Sequence, residues 1–200
     1  IENNQADVLE EAIAMGADVT AIDNLAIRYA YKSNNPELAK ILIASGADAL
    51  SKVEYCGEMI SPLEYASKYG CLEIVEIGLN HGLNPSENNS KSLILACSAS
   101  NGKINLNIIK KLIENGADAS VSNNLPIKNI SSQCMLSSSN EKEVKEVISL
   151  LVEKGADVTQ IDSHFLIKAL QSNQLELSRY LLESGVSIEP VRLGIRTIVP

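Results

Sequence analysis

Large aromatic side chains are nearly missing from this 200-residue sequence. It has no Trp, a single Phe (Phe165) and an aromatic content of 4%. Because aromatic rings usually fill the centre of a bulky globular core, their scarcity argues against such a core. Apolar residues still make up 45% of the chain. We therefore expect a core of Leu, Ile, Val and Ala, arranged in thin, regular layers of paired helices.

The cysteines show no pattern of metal ligands or disulfides. The sequence has four of them, Cys56, Cys71, Cys97 and Cys134, with no Cys-x-x-Cys pair. Neither a zinc-ligand spacing nor a disulfide framework is recognisable. Cys71 and Cys97 lie in apolar, helix-like surroundings. This favours reduced, buried thiols in a cytosolic or nuclear compartment, of which we expect the cytoplasmic one.

Catalytic motifs are also missing. The sequence has only two histidines. We interpret His81 as a helix-end residue, where a cation suits the helix dipole, and His164 as a cap or surface residue at a helix start. No Ser/His/Asp or Cys/His set, calcium loop or Gly-rich phosphate loop can be identified. The sequence predicts neither an enzyme nor a cofactor or metal site.

Positive charge is scarce in the first half of the chain. Residues 1–100 carry 6 Lys/Arg against 14 Asp/Glu, whereas residues 101–200 carry 11 of each. An acidic half argues against nucleic-acid binding and favours a partner with a basic surface, although a merely solvated acidic face is the plainer alternative. No signal peptide and no apolar run near 18 residues is present, so no membrane span is expected. The chain opens without Met in mid-pattern, which suggests a fragment of a longer protein.

The most informative pattern is a recurring tripeptide. Steps of 30, 36, 34, 39 and 30 residues separate its glycines, a period typical of a solenoid. Four copies read Gly-Ala-Asp and two are degenerate: Gly16-Ala17-Asp18, Gly46-Ala47-Asp48, Gly116-Ala117-Asp118, Gly155-Ala156-Asp157, and then Gly82-Leu83-Asn84 and Gly185-Val186-Ser187.

Each glycine follows an amphipathic run, such as Leu38, Ile41 and Leu42 on one helical face. The glycine then ends the helix in the left-handed conformation. A shorter apolar segment with a small residue, such as Ala30, predicts a first helix in each unit. The start of one such helix is marked by Ser61-Pro62-Leu63-Glu64, a capping box. Three tyrosines in first helices are predicted to be core residues: Tyr29, Tyr31 and Tyr65.

The stretch from Ser61 to Gly82 resembles the ankyrin repeat. Ser61-Pro62-Leu63-Glu64-Tyr65-Ala66, then Tyr69-Gly70, then Leu72-Glu73-Ile74-Val75 follow that family's consensus of Thr-Pro-Leu-His-x-Ala, Gly-His-x-x-Val-Val and Gly-Ala-Asp. The resemblance covers residues 5–185 and implies an all-α solenoid of five to six helix pairs. The expected units are a partial repeat 1–16, repeats 17–46, 47–82, 83–116, 117–155 and 156–185, and a tail 186–200 that opens another helix near Glu189.

The connecting segments depart from the family pattern. Ala17 to Ile27 takes 11 residues, three fewer than the family uses, and three other connections are equally short. Such segments resemble the ankyrin repeats of giant DNA viruses, which implies a viral protein acting in the host cytoplasm. One connection is long, with extra residues from Lys52 to Met59, and further insertions are expected at 98–103 and 131–140.

The resemblance implies protein–protein binding through a concave surface of hairpin tips and first helices. Tyr55 and Met59 on the long hairpin are the favoured contacts, unless they fold back onto neighbouring hairpins. The positions on this surface are Ile22, Asp23, Tyr55, Glu58, Met59, Lys68, Tyr69, Asn88, Asn123, Ile161 and Asp162.

Two other functions stay open. The chain could be a structural scaffold module that self-associates weakly end to end, rather than a monomer. It could also be the recognition arm of an enzyme, or of a ubiquitin-ligase adaptor, whose other domain lies outside this chain.

Overall fold

Paired helices follow one another along the computed structural model, which describes residues 2–98, 105–133 and 140–187. In chain order the elements are α1 (Glu2–Ala14), α2 (Ala21–Lys32), α3 (Pro36–Ala44), β1 (Val53–Tyr55), β2 (Glu58–Ile60), α4 (Pro62–Tyr69), α5 (Leu72–Asn80), α6 (Glu87–Cys97), α7 (Leu106–Glu114), α8 (Val121–Gln133), α9 (Glu141–Glu153), α10 (Ser163–Gln171) and α11 (Leu175–Glu183). Most of the two insertions predicted at 98–103 and 131–140, and the predicted tail helix, fall outside the described residues.

The helices form two rows. The first row contains α2, α4, α6, α8 and α10, and the second row contains α1, α3, α5, α7, α9 and α11. Each first-row helix packs on the second-row helix that follows it, and each second-row helix packs on the next one in its row. This confirms the all-α solenoid, and in the described residues the long connection between α3 and α4 forms a two-stranded hairpin.

The core lies between the rows and repeats with the sequence. One apolar position of every first-row helix is at most 1% exposed: Ile27, Leu63, Leu93, Ile127 and Leu166. The small residue three positions later is also buried, as at Ala30, Ala66 and Ala169, which are fully buried. Cys71 and Cys97 are buried as predicted, whereas Cys56 is exposed.

The predicted helix ends are confirmed. Ser61 Oγ accepts a hydrogen bond from the Glu64 N–H at 3.1 Å, and the Glu64 carboxylate accepts from the Ser61 N–H at 3.0 Å. Gly116 has φ +100°, and the five other repeat glycines have φ between +92° and +100°. A side chain at Gly116 would meet nothing within 4 Å. Glycine is therefore needed for its backbone conformation, not for space.

The short connections contain an unusual turn. Three successive residues adopt left-handed φ and ψ in each of three connections: Ile22, Asp23 and Asn24; Asn88, Asn89 and Ser90; Ser122, Asn123 and Asn124. The left-handed conformation costs an L-amino acid roughly 1–2 kcal/mol, and the cost is lowest for Asn and Asp. Six of these nine residues are Asn or Asp, so the composition suits the geometry. In these three connections, a single left-handed turn therefore stands where the family pattern has a longer hairpin.

Hydrogen bonds to the next unit hold these turns. Asn24 Oδ1 accepts from the Asp48 N–H at 2.9 Å, and Asn124 Oδ1 accepts from the Asp157 N–H at 2.7 Å. Ser90 Oγ accepts in the same way from the Asp118 N–H at 2.9 Å. The aspartate of Gly-Ala-Asp therefore joins its own unit to the preceding turn.

Asn124→Ala is expected to lower the free energy of unfolding by about 1–2 kcal/mol, because it removes the acceptor for Asp157 N–H and forces Ala into a left-handed conformation. Asn124→Gly keeps that conformation accessible and loses only the hydrogen bond. Urea denaturation followed by circular dichroism measures both. The two variants separate the two causes, and equal stability of Asn124→Ala and wild type would contradict this assignment.

The fifth connection differs from the others and corrects one site prediction. Residues Val158–Gln160 form a 3₁₀ turn, and Ile161 then continues in an extended conformation. Its side chain is 4% exposed, whereas Ile22 at the matching position is 76% exposed. Ile161 belongs to the core and is removed from the candidate surface.

The three tyrosines predicted as core residues have different surroundings. Tyr31 is fully buried, Tyr65 is half-buried, and Tyr29, on the first helix of the described first row, is 64% exposed. The prediction is therefore confirmed for Tyr31 and wrong for Tyr29. The Tyr31 hydroxyl donates to the Ala49 carbonyl at 2.9 Å, which joins two units.

Alkaline pH is expected to destabilise the protein through Tyr31. Burial raises the pKa of this phenol far above its ordinary value near 10, so the folded state keeps a proton that the unfolded state releases. The stabilising contribution is complete below pH 10 and falls above it by up to about 1.4 kcal/mol per pH unit. Denaturation of wild type and Tyr31→Phe at pH 9 and pH 11 should show the steeper loss in wild type. Parallel pH profiles would exclude this role.

Candidate functional site

The long hairpin presents two different faces. Tyr55 pairs with Glu58, and Glu54 pairs with Met59, in the antiparallel register of β1 and β2. Since side chains at successive strand positions point to opposite faces, Tyr55 and Met59 lie on opposite sides of the hairpin. The two favoured contacts therefore do not form one patch.

On one face, Tyr55 joins two tyrosines of α4. Its ring centroid lies 6.0 Å from that of Tyr65 and 6.2 Å from that of Tyr69, both edge to face. Tyr65 and Tyr69 are 4.6 Å apart. The Lys68 ammonium lies 5.4 Å from the Tyr55 centroid, within cation–π range. We call Tyr55, Tyr65 and Tyr69 the tyrosine cluster.

The tyrosine cluster is partly open to solvent. Tyr69 is 45% exposed, while Tyr55 and Tyr65 are half-buried. The Tyr65 hydroxyl donates to the Lys32 carbonyl at 3.2 Å, which fixes its ring against α2. Burial raises the pKa of Tyr65 and Tyr69, so both phenols stay protonated near neutral pH. The cluster offers rigid, neutral aromatic surface of the kind found at binding hot spots.

On the other face, Met59 borders a hollow of about 320 Å³ beside α2. Leu25, Arg28, Tyr29, Lys32 and Glu54 complete its lining. Met59 is 47% exposed. The hollow therefore combines an apolar wall with charged residues at its border.

The remaining predicted positions have mixed surroundings. Glu58 forms an ion pair with Lys91 at 3.7 Å. The Asn88 amide donates to the Glu64 carboxylate at 2.9 Å, so it joins units as well as lying in a turn. The Asp162 carboxylate caps α10 by accepting from the His164 N–H at 2.7 Å. Asn123 and Asp23 are exposed in left-handed turns, and Asp23 contacts Arg28 at 3.3 Å.

Sequence reasoning missed the surface role of Tyr29 and Tyr65. Both occupy the same position of a first helix, one residue before the buried Ala30 or Ala66. The helical period assigns this position to the boundary between core and surface. Each of these two tyrosines lies directly beside a fully buried residue of its helix. That position could have indicated that the tyrosines lie at the edge of the core.

Charge is divided between the two rows. The second-row helices carry 14 Asp/Glu against 6 Lys/Arg, and the first-row helices carry 3 against 6. Of the 14 acidic residues in 1–100 that suggested a basic partner, seven lie on second-row helices and three on first-row helices. A basic partner surface fits the second-row side better than the side lined by the tyrosine cluster.

The described residues contain neither a metal-binding group nor a membrane-spanning helix. No group of three or more His, Cys, Asp or Glu residues there is placed to hold a metal ion. Within the same ranges, no helix is long and apolar enough to cross a membrane.

Stacked helix pairs closed by left-handed glycines define a repeat solenoid, whose exposed side chains form extended binding surfaces. A family model described as ankyrin repeats (3 copies) matches residues 27–123 and 93–191. The chain thus belongs to the ankyrin-repeat family, whose members generally serve as protein–protein interaction modules.

Comparison with solved structures agrees with this fold. The crystal structure of an ankyrin repeat domain from Acinetobacter baumannii AYE aligns with a TM-score of 0.63 at 23% identity, over 92% of this chain and 94% of that one. No curated protein sequence gives a significant match.

Proposed function

We propose that this chain is a non-catalytic protein-binding module that contacts its partner through the tyrosine cluster and the adjoining hairpin. The observation that carries the proposal is the aromatic surface of Tyr55, Tyr65 and Tyr69, held rigid by α4 and by the Tyr65–Lys32 hydrogen bond. Binding to a rigid surface loses little conformational entropy. Aromatic side chains also dominate hot spots.

Affinity capture from cell lysate, followed by titration of the purified captured protein, tests this proposal. The double variant Tyr55→Ala/Tyr69→Ala is expected to weaken binding by at least about 30-fold, the effect of losing a hot spot. Leu175→Ala/Leu182→Ala is the matched control, because it truncates two exposed residues on α11. A partner that binds the tyrosine variant and wild type equally would refute the site.

A host protein as partner is the narrower form of this proposal. Its support is the resemblance of the short connections to those of giant-virus repeats; three of these four connections contain a three-residue left-handed turn. Captures from lysates of a protist and of an unrelated bacterium, compared at equal protein concentration, test it. Retention of a specific protein from the bacterial lysate alone would contradict a eukaryotic host partner.

The scaffold alternative rests on the exposed apolar residues at the ends of the described helix rows, including Val8 and Leu182. Sedimentation velocity over a wide concentration range distinguishes it. A monomer at every concentration argues against it.

An adaptor role requires a further domain. The full-length reading frame would show whether one is present.

A further inference from the structure

The positively charged residues of the first-row helices share one face. Each of them lies two residues before, or one, two or five residues after, the buried apolar position of its helix, such as Leu63. Those four positions have the spacing i, i+3, i+4 and i+7, so they form one stripe on the side of the helix that faces away from the core. None of the side chains is buried. We call these six residues the basic stripe: Arg28, Lys32, Lys68, Lys91, Lys128 and Lys168.

The acidic residues of the same helices offset the basic stripe only in part. Asp23 lies in the turn at the start of α2 and pairs with Arg28 at 3.3 Å. Glu87 is the first residue of α6 and lies off the stripe. Glu64 occupies a stripe position, but its side chain is 3% exposed and both carboxylate oxygens already accept hydrogen bonds. The exposed charge along the stripe is therefore positive.

Ion pairs differ between the two rows. Four of the six second-row cations pair with a glutamate of another second-row helix: Lys40 with Glu73, Lys110 with Glu146, Lys111 with Glu76 and Lys145 with Glu176. In the basic stripe, two cations pair with a carboxylate. Within the described ranges, Lys32, Lys128 and Lys168 have no carboxylate at ion-pair distance. Second-row cations mostly join units, whereas these three are available to a partner.

The basic stripe passes through the tyrosine cluster. The Lys68 ammonium lies 5.4 Å from the Tyr55 centroid, and the Lys32 carbonyl accepts from the Tyr65 hydroxyl. On the next first-row helix, half-buried Ile94 and Leu95 occupy stripe positions. A ligand that covers the tyrosine cluster therefore meets both positive charge and apolar surface.

Negative charge borders the stripe at the connections. Asp18, Asp118 and Asp157 each precede a first-row helix. Hydrogen bonds from Thr20 and Thr159 lower the pKa of Asp18 and Asp157, so both carboxylates are charged at neutral pH. A nucleic acid carries a charge on every residue and would meet these carboxylates. A protein segment can place uncharged residues beside them, which favours protein over nucleic acid as the ligand.

We propose that the partner contributes an acidic, extended segment, with Asp or Glu on the basic stripe and an aromatic or apolar side chain on the tyrosine cluster. This inference rests on the proposed function, because both place the partner on the first-row side. Charge complementarity favours this occupant. Packed helices lie about 8–10 Å apart, so five first-row helices span about 32–40 Å, the length of about 10–12 extended residues. One acidic residue in every three would then face each helix.

Fluorescence anisotropy with a labelled synthetic peptide of about 12 residues tests the proposal. The peptide carries Glu at every third position, one Phe, and Pro and Ser elsewhere. Wild type should bind it at low salt with a dissociation constant of about 100 μM or below, and more weakly as salt rises. The same peptide with Gln in place of Glu should bind at least about tenfold more weakly.

Lys128→Gln/Lys168→Gln should weaken binding of the Glu peptide about threefold or more, because it removes two cations of the basic stripe. Lys142→Gln/Arg179→Gln is the matched control. It removes two exposed cations from second-row helices and changes the net charge by the same amount. Its affinity for the peptide should equal that of wild type.

Three outcomes would overturn the proposal. They are equal affinity of wild type for the Glu and Gln peptides, equal losses in the two double variants, and no binding of the Glu peptide up to about 1 mM. Tighter binding of a single-stranded RNA of about 12 nucleotides, lost in Lys128→Gln/Lys168→Gln, would assign the stripe to nucleic acid and overturn the proposal as well.

Tyr55→Ala/Tyr69→Ala separates this inference from the proposed function. If this variant binds the Glu peptide as wild type does and Lys128→Gln/Lys168→Gln does not, the tyrosine site is refuted and the acidic ligand is supported. If the tyrosine variant loses affinity and the lysine variant keeps it, the tyrosine site is supported and the acidic ligand is overturned.

Discussion

Leu112→Ala is expected to lower the free energy of unfolding by about 3 kcal/mol, because it leaves a cavity between stacked units. Leu112 is fully buried, and its helix α7 packs on α5, α6 and α9. A solenoid has no other contacts that bypass this layer. The units on either side should therefore unfold less cooperatively, and the urea transition should broaden.

Leu175→Ala is the matched control for this prediction. Leu175 also belongs to a second-row helix, but its side chain is 60% exposed. Its truncation should change stability by no more than about 0.5 kcal/mol. A similar loss in both variants would show that the layer at Leu112 does not limit stability.

Glu64→Ala is expected to cost about 2–3 kcal/mol, because two hydrogen-bond donors lose their acceptor. The Glu64 side chain is 3% exposed. Its two carboxylate oxygens accept from the Ser61 N–H and from the Asn88 amide of the next unit. One buried carboxylate thus caps α4 and fixes the following left-handed turn.

Glu64→Gln keeps an acceptor for one of these donors and should fall between Glu64→Ala and wild type. Glu73→Ala serves as the comparison, since Glu73 forms only an exposed ion pair with Lys40 at 3.7 Å. Its loss should change stability by less than about 1 kcal/mol. Thermal and urea denaturation measure all three variants, and a Glu64→Ala protein as stable as Glu73→Ala would refute the double role.

The features that the sequence predicted correctly depend on a few adjacent residues. A glycine after an amphipathic run ends a helix wherever it occurs, and Ser61 with Glu64 forms a capping box from local geometry alone. These interactions need no distant partner. Helix ends, helix pairing and the fold can therefore be predicted from the sequence.

The connecting turns were not predictable in the same way. Ile22-Asp23 and Ile161-Asp162 are the same dipeptide, at the same distance after a Gly-Ala-Asp copy. One isoleucine is exposed in a left-handed turn, and the other is buried after a 3₁₀ turn. The residue that follows differs: Asn24 suits the left-handed conformation and accepts from the Asp48 N–H of the next unit, whereas the fifth connection has Ser163. The shared dipeptide alone therefore does not fix the turn.

The tyrosine cluster was predicted in part. The hairpin carrying Tyr55 and the helix carrying Tyr69 were both assigned to the candidate surface, but their contact depends on strand register. Cys56 and Gly57, both with positive φ, form a two-residue turn that pairs Tyr55 with Glu58. Once that register is known, alternation places Met59 on the other face.

The hydrogen bonds between turns and later aspartates have a consequence for biosynthesis. Asn24, Ser90 and Asn124 accept from N–H groups that lie 24, 28 and 33 residues further along the chain. A ribosome adds the acceptor before the donor. Each left-handed turn must therefore wait, incomplete, until most of another unit has emerged.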